Sequence, residues 1–538
     1  MKTVKIPFTK LCYFGFSILL VGVTQTLIAQ QNSILIIADD LSPDYFGFYS
    51  KTTDTAHTPN LRHLLNNGIQ FTKVWAAPVC SPTRAGILTG RYPFRTGIGG
   101  VITNATSAQI DTSEMSLAKL LKFYAPLKYN TACIGKWHLT VNQPQKRLNP
   151  NKLGFDFYSG NFNGTVQNYY NYQRVKNGIL DTVKTYATTQ TVNDAIGWMD
   201  TMNMNKPFFL WLAFNAPHDP FHLPPASLCN TAGLSGSNSD ITANPKKYFK
   251  ATLEAMDTEI GRLFAYLTLH NLMDSTNIIF IGDNGNARQV SQIANPTKAK
   301  GTLYDYGVRV PMIIAGPSVV KVNRTSSDLI NTLDLFATIA ELSGFSNWKN
   351  SIPSGTKIDS RTFLPILKNQ QSTNRSWIFS ETFNTPGTAN DGKSIRNNDY
   401  HLLRFDNGNE EFYNESLDKE EITNLLKGTL TSIEKQNYQF LCDTLNKLVG
   451  NGSCQVLKVS NVDSDKLTIL FPNPTSNNIE IMTKEELKKV TITNLLGEIV
   501  FSGNSNQLAV TEIPNGLYFI SILFINNQLI YQKIEIIK

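Results

Sequence analysis

The sequence predicts an α/β fold with a mostly parallel central sheet flanked by helices, followed by a small all-β, sandwich-like module. Short, continuous apolar runs alternate with helical patterns, which is typical of parallel strands covered on both faces by helices. Several of these runs end in polar or charged residues. After about Cys454 the chain changes to short β-rich segments separated by Asn, Gly and Pro, which indicates a separate β module.

The predicted elements follow in order along the chain. Five apolar runs are predicted as buried strands: residues 34–37, 131–135, 208–214, 277–281 and 310–315. Four helical patterns accompany them: residues 58–68, 116–124, 248–269 and 329–343. Thr58 and Pro59 supply the cap and first turn of the first helix, and Gly68 closes it. The predicted strands of the C-terminal module are residues 468–471, 490–494, 498–501, 518–523 and 529–537.

The composition indicates a globular protein of more than one domain. The chain has 538 residues, of which 41% are hydrophobic and 17% are charged. A net charge of +7 is mild for this length and is compatible with anionic small molecules or polysaccharides. The sequence has no dense stripe of Lys and Arg, so we expect no nucleic-acid partner.

The N-terminus resembles a secretory signal. Lys2, Lys5 and Lys10 precede an apolar run over about residues 11–28, and small and polar residues follow from Ala29. A membrane anchor is the alternative, but Gly, Ser, Thr and Gln within the run make a poor spanning helix. We therefore predict a cleaved signal peptide at residues 1–29.

The cysteine count points to at least one unpaired thiol. Loss of Cys12 with the signal leaves five cysteines, an odd number in an exported protein. Cys442 and Cys454 are near enough in sequence to pair, although spacing alone cannot prove a bond. The five are Cys80, Cys133, Cys229, Cys442 and Cys454, and if Cys80 is the unpaired thiol, the other four could pair.

Polar residues follow the ends of four predicted strands. They are Asp39-Asp40, Lys136-Trp137-His138, Pro217-His218 and Asp283-Asn284. In open α/β sheets the ligand site lies outside the carboxyl ends of the strands. These residues are therefore expected to share one site.

Residues 80–91, which read Cys-Ser-Pro-Thr-Arg-Ala-Gly-Ile-Leu-Thr-Gly-Arg, contain the most informative motif. They resemble the signature of the type I sulfatases, in the alkaline-phosphatase-like superfamily. The resemblance implies that Cys80 is oxidised to formylglycine, an aldehyde that is hydrated in the resting enzyme. One hydroxyl would attack sulfur, and deprotonation of the other would let the aldehyde re-form and expel sulfate. The alternative is that Cys80 is a buried small hydrophobic residue.

Further segments extend the resemblance over roughly residues 33–425. It implies a metal site at the positions Asp39, Asp40, Cys80, Asp283 and Asn284. Three carboxylates and an amide oxygen form a hard, oxygen-rich ligand set, which suits Ca²⁺ or Mg²⁺ rather than zinc. We expect Ca²⁺. Taken separately, Asp-Asp and Asp-Asn-Gly are common in caps and turns.

The same resemblance carries catalytic roles onto five residues, which are Arg84, Lys136, His138, His218 and Lys300. The two lysines would hold sulfate oxygens, while Arg84 and His138 orient the hydrated nucleophile. His218 would protonate the departing alcohol, because His titrates near neutral pH.

The sequence departs from the family pattern at Asn286-Ala287 and at Asp305-Tyr306-Gly307, which stands where Glu-Gly-Gly is expected. Residues 153–170 also resemble a family segment, either as loop packing or as part of the substrate rim.

The C-terminal module resembles the sorting domain that the type IX secretion system recognises. The matching segments are residues 471–475, 492–497 and 513–518. The resemblance implies secretion or display at the outer-membrane surface after export by the signal peptide. A carbohydrate-binding or adhesion β-sandwich is the alternative.

Together these patterns predict a signal peptide (1–29), a sulfatase domain (30–454, with a smaller subdomain from about residue 370), a linker (455–464) and a sorting domain (465–538). The predicted function is hydrolysis of sulfate esters of carbohydrates or aryl sulfates by a sulfuric ester hydrolase. The expected partners are a formylglycine-generating maturation enzyme and the type IX machinery. The alternatives are a phosphate or phosphonate ester hydrolase of the same superfamily and a non-catalytic surface protein that binds sulfated glycans.

Overall fold

The computed structural model describes residues 31–50, 54–370, 375–384, 387–388, 391–450, 452, 454, 469–483, 485–494, 498–526 and 529–538. The predicted signal peptide and the predicted linker lie outside the described residues. The chain divides into two compact units, one of Met1–Gly428 with Gln436–Gly452 and one of Thr429–Lys435 with Ser453–Lys538. Among the described residues, no helix is long and apolar enough to cross a membrane.

The first unit is built on a ten-stranded sheet. Its strands are β1 (Asn32–Ala38), β2 (Gly68–Trp75), β3 (Asn130–Gly135), β4 (Phe157–Gly160), β5 (Tyr172–Lys176), β6 (Ile179–Val183), β7 (Phe208–Ala213), β8 (Thr276–Gly282), β9 (Met312–Ala315) and β10 (Arg324–Asn331). Their order is β10-β2-β9-β8-β1-β7-β3-β4-β5-β6. The central strands β8, β1, β7, β3 and β4 are parallel, whereas β9 and the β5-β6 hairpin run antiparallel. The predicted mostly parallel sheet is confirmed.

Helices cover both faces of this sheet. The helices of this first part of the chain are α1 (Pro59–Asn66), α2 (Cys80–Thr89), α3 (Pro93–Thr96), α4 (Leu117–Lys119), α5 (Asn149–Lys152), α6 (Ala187–Met199), α7 (Asn238–Ala243), α8 (Pro245–Leu269), α9 (Asp305–Val308), α10 (Leu335–Leu342) and α11 (Leu364–Leu367). Strand β1 shows the two layers directly, because Leu35 and Ile37 join one hydrophobic core while Ile34 and Ile36 join the other. All four side chains are fully buried, as expected for a strand that is apolar on both faces.

The expected helix over residues 329–343 is wrong at its start. The segment up to Asn331 is strand, and the α-helix begins only at Leu335. Strand β10 pairs in parallel with β2, and the side chain of Asn331 forms a capping box with Asp334. This reciprocal cap satisfies the backbone donors at the point where strand becomes helix. Gly68, which was expected only to close a helix, also begins β2, and a Cβ there would lie 2.3 Å from the carbonyl oxygen of Ile314.

A second, four-stranded antiparallel sheet follows in the same unit. Its strands, in spatial order, are β11 (Ile378–Thr382), β12 (Gly392–Arg396), β13 (Tyr400–Phe405) and β14 (Glu410–Asn414). The helix α12 (Ser432–Val449) comes after it. Tyr438, Leu441 and Leu445 of this helix are fully buried, at the spacing of one helical face.

A buried ionic cluster lies between this second sheet and the segments around it. His401 Nδ1 lies 2.5 Å from Glu421 Oε1 and 3.4 Å from Glu415 Oε1. Arg396 Nη1 bridges Glu415 Oε2 at 3.0 Å and Asp305 Oδ1 at 3.1 Å. Burial alone would lower the pKa of His401, but the carboxylates of Glu421 and Glu415 raise it to about 9. The imidazole is therefore charged at neutral pH and balances the acidic side chains.

We predict that the contribution of His401 to the stability of the protein is lost at alkaline pH. Because folding raises the pKa of His401, its stabilisation is complete below its ordinary pKa of 6.5 and is lost as the pH rises through about 9. The replacement His401→Gln should lower the free energy of unfolding by on the order of 3 kcal/mol at pH 7, and the deficit should shrink towards pH 10. Thermal unfolding across this pH range measures both. The exposed His63→Gln serves as control, and a deficit that stays constant with pH would contradict the prediction.

The C-terminal part of the second unit, over the described residues from 469 to 538, is all β, as predicted. Its strands are β15 (Ile469–Phe471), β16 (Asn478–Met482), β17 (Leu487–Thr493), β18 (Ile499–Gly503), β19 (Gln507–Ala509), β20 (Gly516–Phe524) and β21 (Leu529–Ile536). They form an antiparallel sheet β15-β16-β19 and an antiparallel sheet β18-β17-β20-β21. Their inward residues make a separate core that includes Ile479, Val490 and Ile520. The strands β16 and β19 were not predicted from the sequence.

The cysteines pair less than the sequence allowed. Cys442 and Cys454 are disulfide-bonded. Cys80, Cys133 and Cys229 are free thiols. Of the four cysteines that could pair, Cys133 and Cys229 therefore remain single: Cys133 is a fully buried member of the sheet core, and Cys229 has no thiol partner within the described residues.

Candidate active site

The predicted site residues come together at the carboxyl ends of the central strands. Asp39 and Asp40 follow β1, Lys136 and His138 follow β3, His218 follows β7, and Asp283 and Asn284 follow β8. Cys80 begins α2, in which all ten residues are buried. The parallel register of β1, β3, β7 and β8 brings these strand ends to the same edge.

Two of the site residues have an uncommon backbone conformation. Asp40 has a φ of 61° and His138 a φ of 53°, both in the left-handed region. The Asp40 amide donates a 3.0 Å hydrogen bond to Asp283 Oδ1, which ties the ends of β1 and β8 together. Such residues cost on the order of 1–3 kcal/mol each and cluster at functional sites. Here they redirect side chains just after two strands.

The thiol of Cys80 faces the imidazole of His138. Cys80 Sγ lies 3.1 Å from His138 Nδ1, and His138 Nε2 lies 3.0 Å from the carbonyl oxygen of Ile102. Because a carbonyl only accepts, Nε2 carries the proton and Nδ1 presents its lone pair to the thiol. Burial lowers the pKa of His138 well below its ordinary value, and Lys136 and Arg84 lower it further. His138 is thus a neutral acceptor that faces the Cys80 thiol.

Two fully buried cations hold the acidic residues in place. Arg84 Nε and Nη2 donate to Asp283 Oδ2 at 3.0 and 2.8 Å, and Nη1 donates to the Lys136 carbonyl at 2.9 Å. Lys136 Nζ donates to Asp39 Oδ2 at 2.6 Å. Burial opposes ionisation of Asp283, but Arg84 and Lys136 keep its pKa below the ordinary value. A buried carboxylate needs such partners.

Lys300 and His218 form the accessible side of the cluster. Lys300 Nζ donates to the carboxylate of Asp40 at 2.7 Å and lies 3.1 Å from His218 Nε2. The side chains of Lys300 and His218 are 20% and 13% exposed, whereas those of Arg84 and Lys136 are 0% exposed. Burial lowers the pKa of His218, but Asp40 and Asp39 raise it to about 9, against the opposing charge of Lys300.

The donor set fits a divalent cation. Asp39 Oδ1 and Asn284 Oδ1 are buried and accept no hydrogen bond from any described residue. Arg84 Nη2 stands 3.8 Å from this Asp39 oxygen. Ligand atoms of Asp39, Cys80 and Asp283 lie within 4.8 Å of one another. Unpartnered oxygens beside carboxylates are what a hard cation such as Ca²⁺ or Mg²⁺ requires.

Neighbouring residues with no predicted role complete the site. Asp219 Oδ1 lies 2.7 Å from His218 Nδ1, and Tyr169 Oη donates to the His218 carbonyl at 2.7 Å. A Cβ on Gly164 would lie 2.6 Å from the His138 ring, so the segment over residues 153–170 packs directly against the site. The position of Asp219 next to His218 in the chain is the signal that could have revealed it.

The departures from the family pattern are accommodated beside the site. Asp305 accepts from the Trp75 indole at 2.9 Å and pairs with Arg309 at 2.6 Å. Tyr306 Oη donates to Asp44 and also contacts Asn286 at 3.1 Å. These side chains support the loops around the site, and in the part of the chain that the structure describes they make no hydrogen bond to Cys80.

The chain belongs to the sulfatase family, a family of sulfuric ester hydrolases. The family model "Sulfatase" matches residues 31–345, and the model "N-sulphoglucosamine sulphohydrolase, C-terminal" matches residues 298–447. The model "Secretion system C-terminal sorting domain" matches residues 469–538.

Particular relatives support this assignment. N-acetylgalactosamine-6-sulfatase of Homo sapiens is 28% identical over 371 residues, which cover 62% of this chain and 65% of the human protein. The uncharacterized sulfatase YdeN of Escherichia coli (strain K12) is 29% identical over 354 residues, which cover 60% of each chain. The match thus spans less than two thirds of either relative. The crystal structure of Ps i-CgsB in complex with k-i-k-neocarrahexaose is 25% identical with a TM-score of 0.64, covering 78% of this chain and 92% of that one.

Proposed function

We propose that this protein is an exported sulfatase that hydrolyses sulfate esters of carbohydrates. The observation that carries the proposal is the contact of Cys80, within its Cys-x-Pro-x-Arg motif, with His138 beside a buried cluster of carboxylates and cations. A sulfate ester is anionic and gains charge on its leaving oxygen during hydrolysis, so it requires the cations that converge here.

The proposed nucleophile is formylglycine made from Cys80 by a maturation enzyme. When hydrated, this aldehyde would supply an oxygen nucleophile and a route for releasing sulfate. The neutral Nδ1 of His138 is placed to accept a proton from it, and Arg84 is held against Asp283 at its side. Cys80 also begins α2, and the N-terminus of a helix favours an anionic group.

We propose Ca²⁺ as the metal, held by Asp39, Asp40, Asp283, Asn284 and the modified side chain at position 80. The ion would supply positive charge to polarise the sulfate group. Asp39 Oδ1 and Asn284 Oδ1 support this assignment, because both oxygens are buried and accept no hydrogen bond from the described residues. Lys136 and Lys300 bring further positive charge beside the same carboxylates, where both can stabilise sulfate oxygens.

His218 is the proposed donor of a proton to the departing alcohol. It lies with Lys300 on the accessible side of the cluster, and its raised pKa keeps it protonated near neutral pH. Asp219 orients it, because its carboxylate is 2.7 Å from Nδ1 and leaves Nε2 directed towards Lys300. A positioned acid of this kind contributes typically about 10²–10⁴-fold to a rate.

Replacement of Asp219 by alanine is expected to lower kcat about 10-fold on an alkyl sulfate and much less on 4-nitrophenyl sulfate. The alkoxide leaving group needs protonation, whereas 4-nitrophenolate does not. Asp219→Asn retains a side-chain acceptor and should restore most of the rate. Steady-state kinetics on the two esters measures the difference. Equal losses on both would show that Asp219 does not act through protonation of the leaving group.

The relatives support a sulfated carbohydrate as the substrate class. The human relative is named for a sulfated sugar, and the neighbouring structure Ps i-CgsB is bound to an oligosaccharide. We infer from these names that the substrate is a sulfated carbohydrate. We infer that it lies outside the cell, because residues 469–538 match a secretion sorting domain. We propose that the predicted signal peptide and type IX machinery carry the protein out.

The test is release of sulfate from a panel of sulfated oligosaccharides and aryl sulfates by protein co-expressed with a maturation system. Matched phosphate and phosphonate esters should be turned over at least 10-fold more slowly. Mass spectrometry of the Cys80 peptide should show exchange of the thiol for an aldehyde. Faster release of phosphate would favour the phosphoesterase alternative. Binding of sulfated glycans with an unmodified thiol in the native source would favour the non-catalytic one.

A further inference from the structure

An open cleft lies at the far end of α2 from the proposed nucleophile. It has a volume of about 560 Å³ and is lined by Tyr92, by residues between Trp348 and Trp377, and by Leu448. Cys80 is the first residue of the ten-residue α2, and Gly90 caps its other end. A helix of this length is about 15 Å long, so the cleft is separate from the catalytic cluster.

The cleft carries uncompensated positive charge. Its single acidic lining residue, Asp359, is paired with Arg95 Nε at 2.8 Å, and its lining residue Arg375 is paired with the buried Asp334 at 2.5 Å. Lys349 and Lys357 also line it and are exposed. No carboxylate of the described residues lies within ion-pair distance of either amine. Two ammonium groups are therefore left for an anionic ligand.

Aromatic side chains form the other part of the lining. Trp377 is half-buried in the wall, with the Arg375 guanidinium 5.9 Å from its ring. Trp348 is fully buried, and its ring lies 5.5 Å from that of Phe336 in the hydrophobic core. Tyr92 is 2% exposed and is likewise anchored in the core. Of these three aromatic residues, Trp377 is therefore the one that is partly exposed in the cleft, whose lining also includes the two exposed lysines.

We propose that this cleft is a second, non-catalytic site that binds sulfated sugar units of a polymeric substrate. The apolar face of a sugar ring packs on aromatic side chains, and its sulfate groups pair with lysine. The volume lies within the range of about 300–1,000 Å³ that is usual for ligand sites. Holding a polymer at the cleft raises its effective concentration at the catalytic cluster, which small esters cannot exploit. The inference uses the proposed function only to choose the ligand class.

Binding is tested first, in the full chain with Cys80→Ala so that no turnover occurs. The probes are a carrageenan hexasaccharide, a chondroitin 6-sulfate hexasaccharide, their desulfated forms and inorganic sulfate, measured by calorimetry. At least one sulfated hexasaccharide should show a binding event that weakens at least 10-fold in Lys349→Ala/Lys357→Ala. The matched control is Lys246→Ala/Lys247→Ala, which removes two exposed lysines from α8.

The proposal is overturned if neither sulfated probe binds, if both double variants bind equally, or if inorganic sulfate or the desulfated sugars bind as tightly. Activity gives an independent readout in protein that keeps Cys80 and is co-expressed with a maturation system. The ratio of kcat/KM on a sulfated polymer to that on 4-nitrophenyl sulfate should fall about 10-fold in Lys349→Ala/Lys357→Ala, through KM. An unchanged ratio overturns the role in polymer capture. Loss of all hydrolysis with retained binding would instead count against the proposed function.

Discussion

Replacement of Cys80 by alanine is expected to abolish sulfate release while the protein remains folded. The side chain is the proposed source of the nucleophile, and no other described thiol lies at the carboxylate cluster. Loss of a covalent nucleophile costs on the order of 10⁴-fold or more in kcat. The fold should tolerate the change, because the substitution removes one sulfur atom from the first turn of α2 and alanine is favourable in a helix. Sulfate release and circular dichroism measure the two effects.

The matched control for this variant is Cys133→Ala. Cys133 is also a buried free thiol, but it lies within β3 in the sheet core. The Cys133→Ala variant should lose at least as much stability as Cys80→Ala, because of the cavity left behind, and should keep most of its activity. A Cys80→Ala variant that retains more than a hundredth of the wild-type kcat would contradict the assignment of Cys80 as nucleophile.

Replacement of Asp39 by asparagine is expected to remove both activity and the response of the protein to calcium. Asp39 is fully buried, with Oδ2 held by Lys136 and Oδ1 unpartnered. Removing one of three carboxylates weakens a hard-cation site strongly, and kcat should fall about 10²–10³-fold. In the wild-type protein, calcium at 100 times its Kd should add about 2.7 kcal/mol to the free energy of unfolding. Thermal unfolding with calcium and with a chelator measures this difference.

The matched control for the metal prediction is Asp334→Asn. Asp334 is also fully buried and ion-paired, with Arg375, but it lies outside the acidic cluster. This variant should be less stable and should still respond to calcium. An undiminished calcium response in Asp39→Asn would refute the ligand assignment. A response to Mg²⁺ equal to that to Ca²⁺ would refute the choice of ion.

Much of the fold could be predicted from local patterns. The apolar runs that became β1, β3, β7 and β8 are buried on both faces, so their sequence signal is strong. The strands β5 and β6 were missed because they form a half-exposed hairpin at the sheet edge, with no apolar run. The start of the 329–343 helix was misplaced because pairing with β2 overrode the helical pattern up to Asn331.

The sequence by itself determined which residues carry the proposed chemistry and that seven of them follow strand ends, namely Asp39, Asp40, Lys136, His138, His218, Asp283 and Asn284. It did so because the motif around Cys80 is contiguous and because parallel strands end at one edge. Only the tertiary structure decided which partners meet: His138 with Cys80, 58 residues apart, Lys136 with Asp39, 97 apart, and Lys300 with Asp40, 260 apart. The His401 cluster and the cationic cleft likewise join segments distant in sequence. Such contacts depend on strand register and on burial, which no local pattern encodes. Burial and the neighbouring charges then decide whether each group is charged.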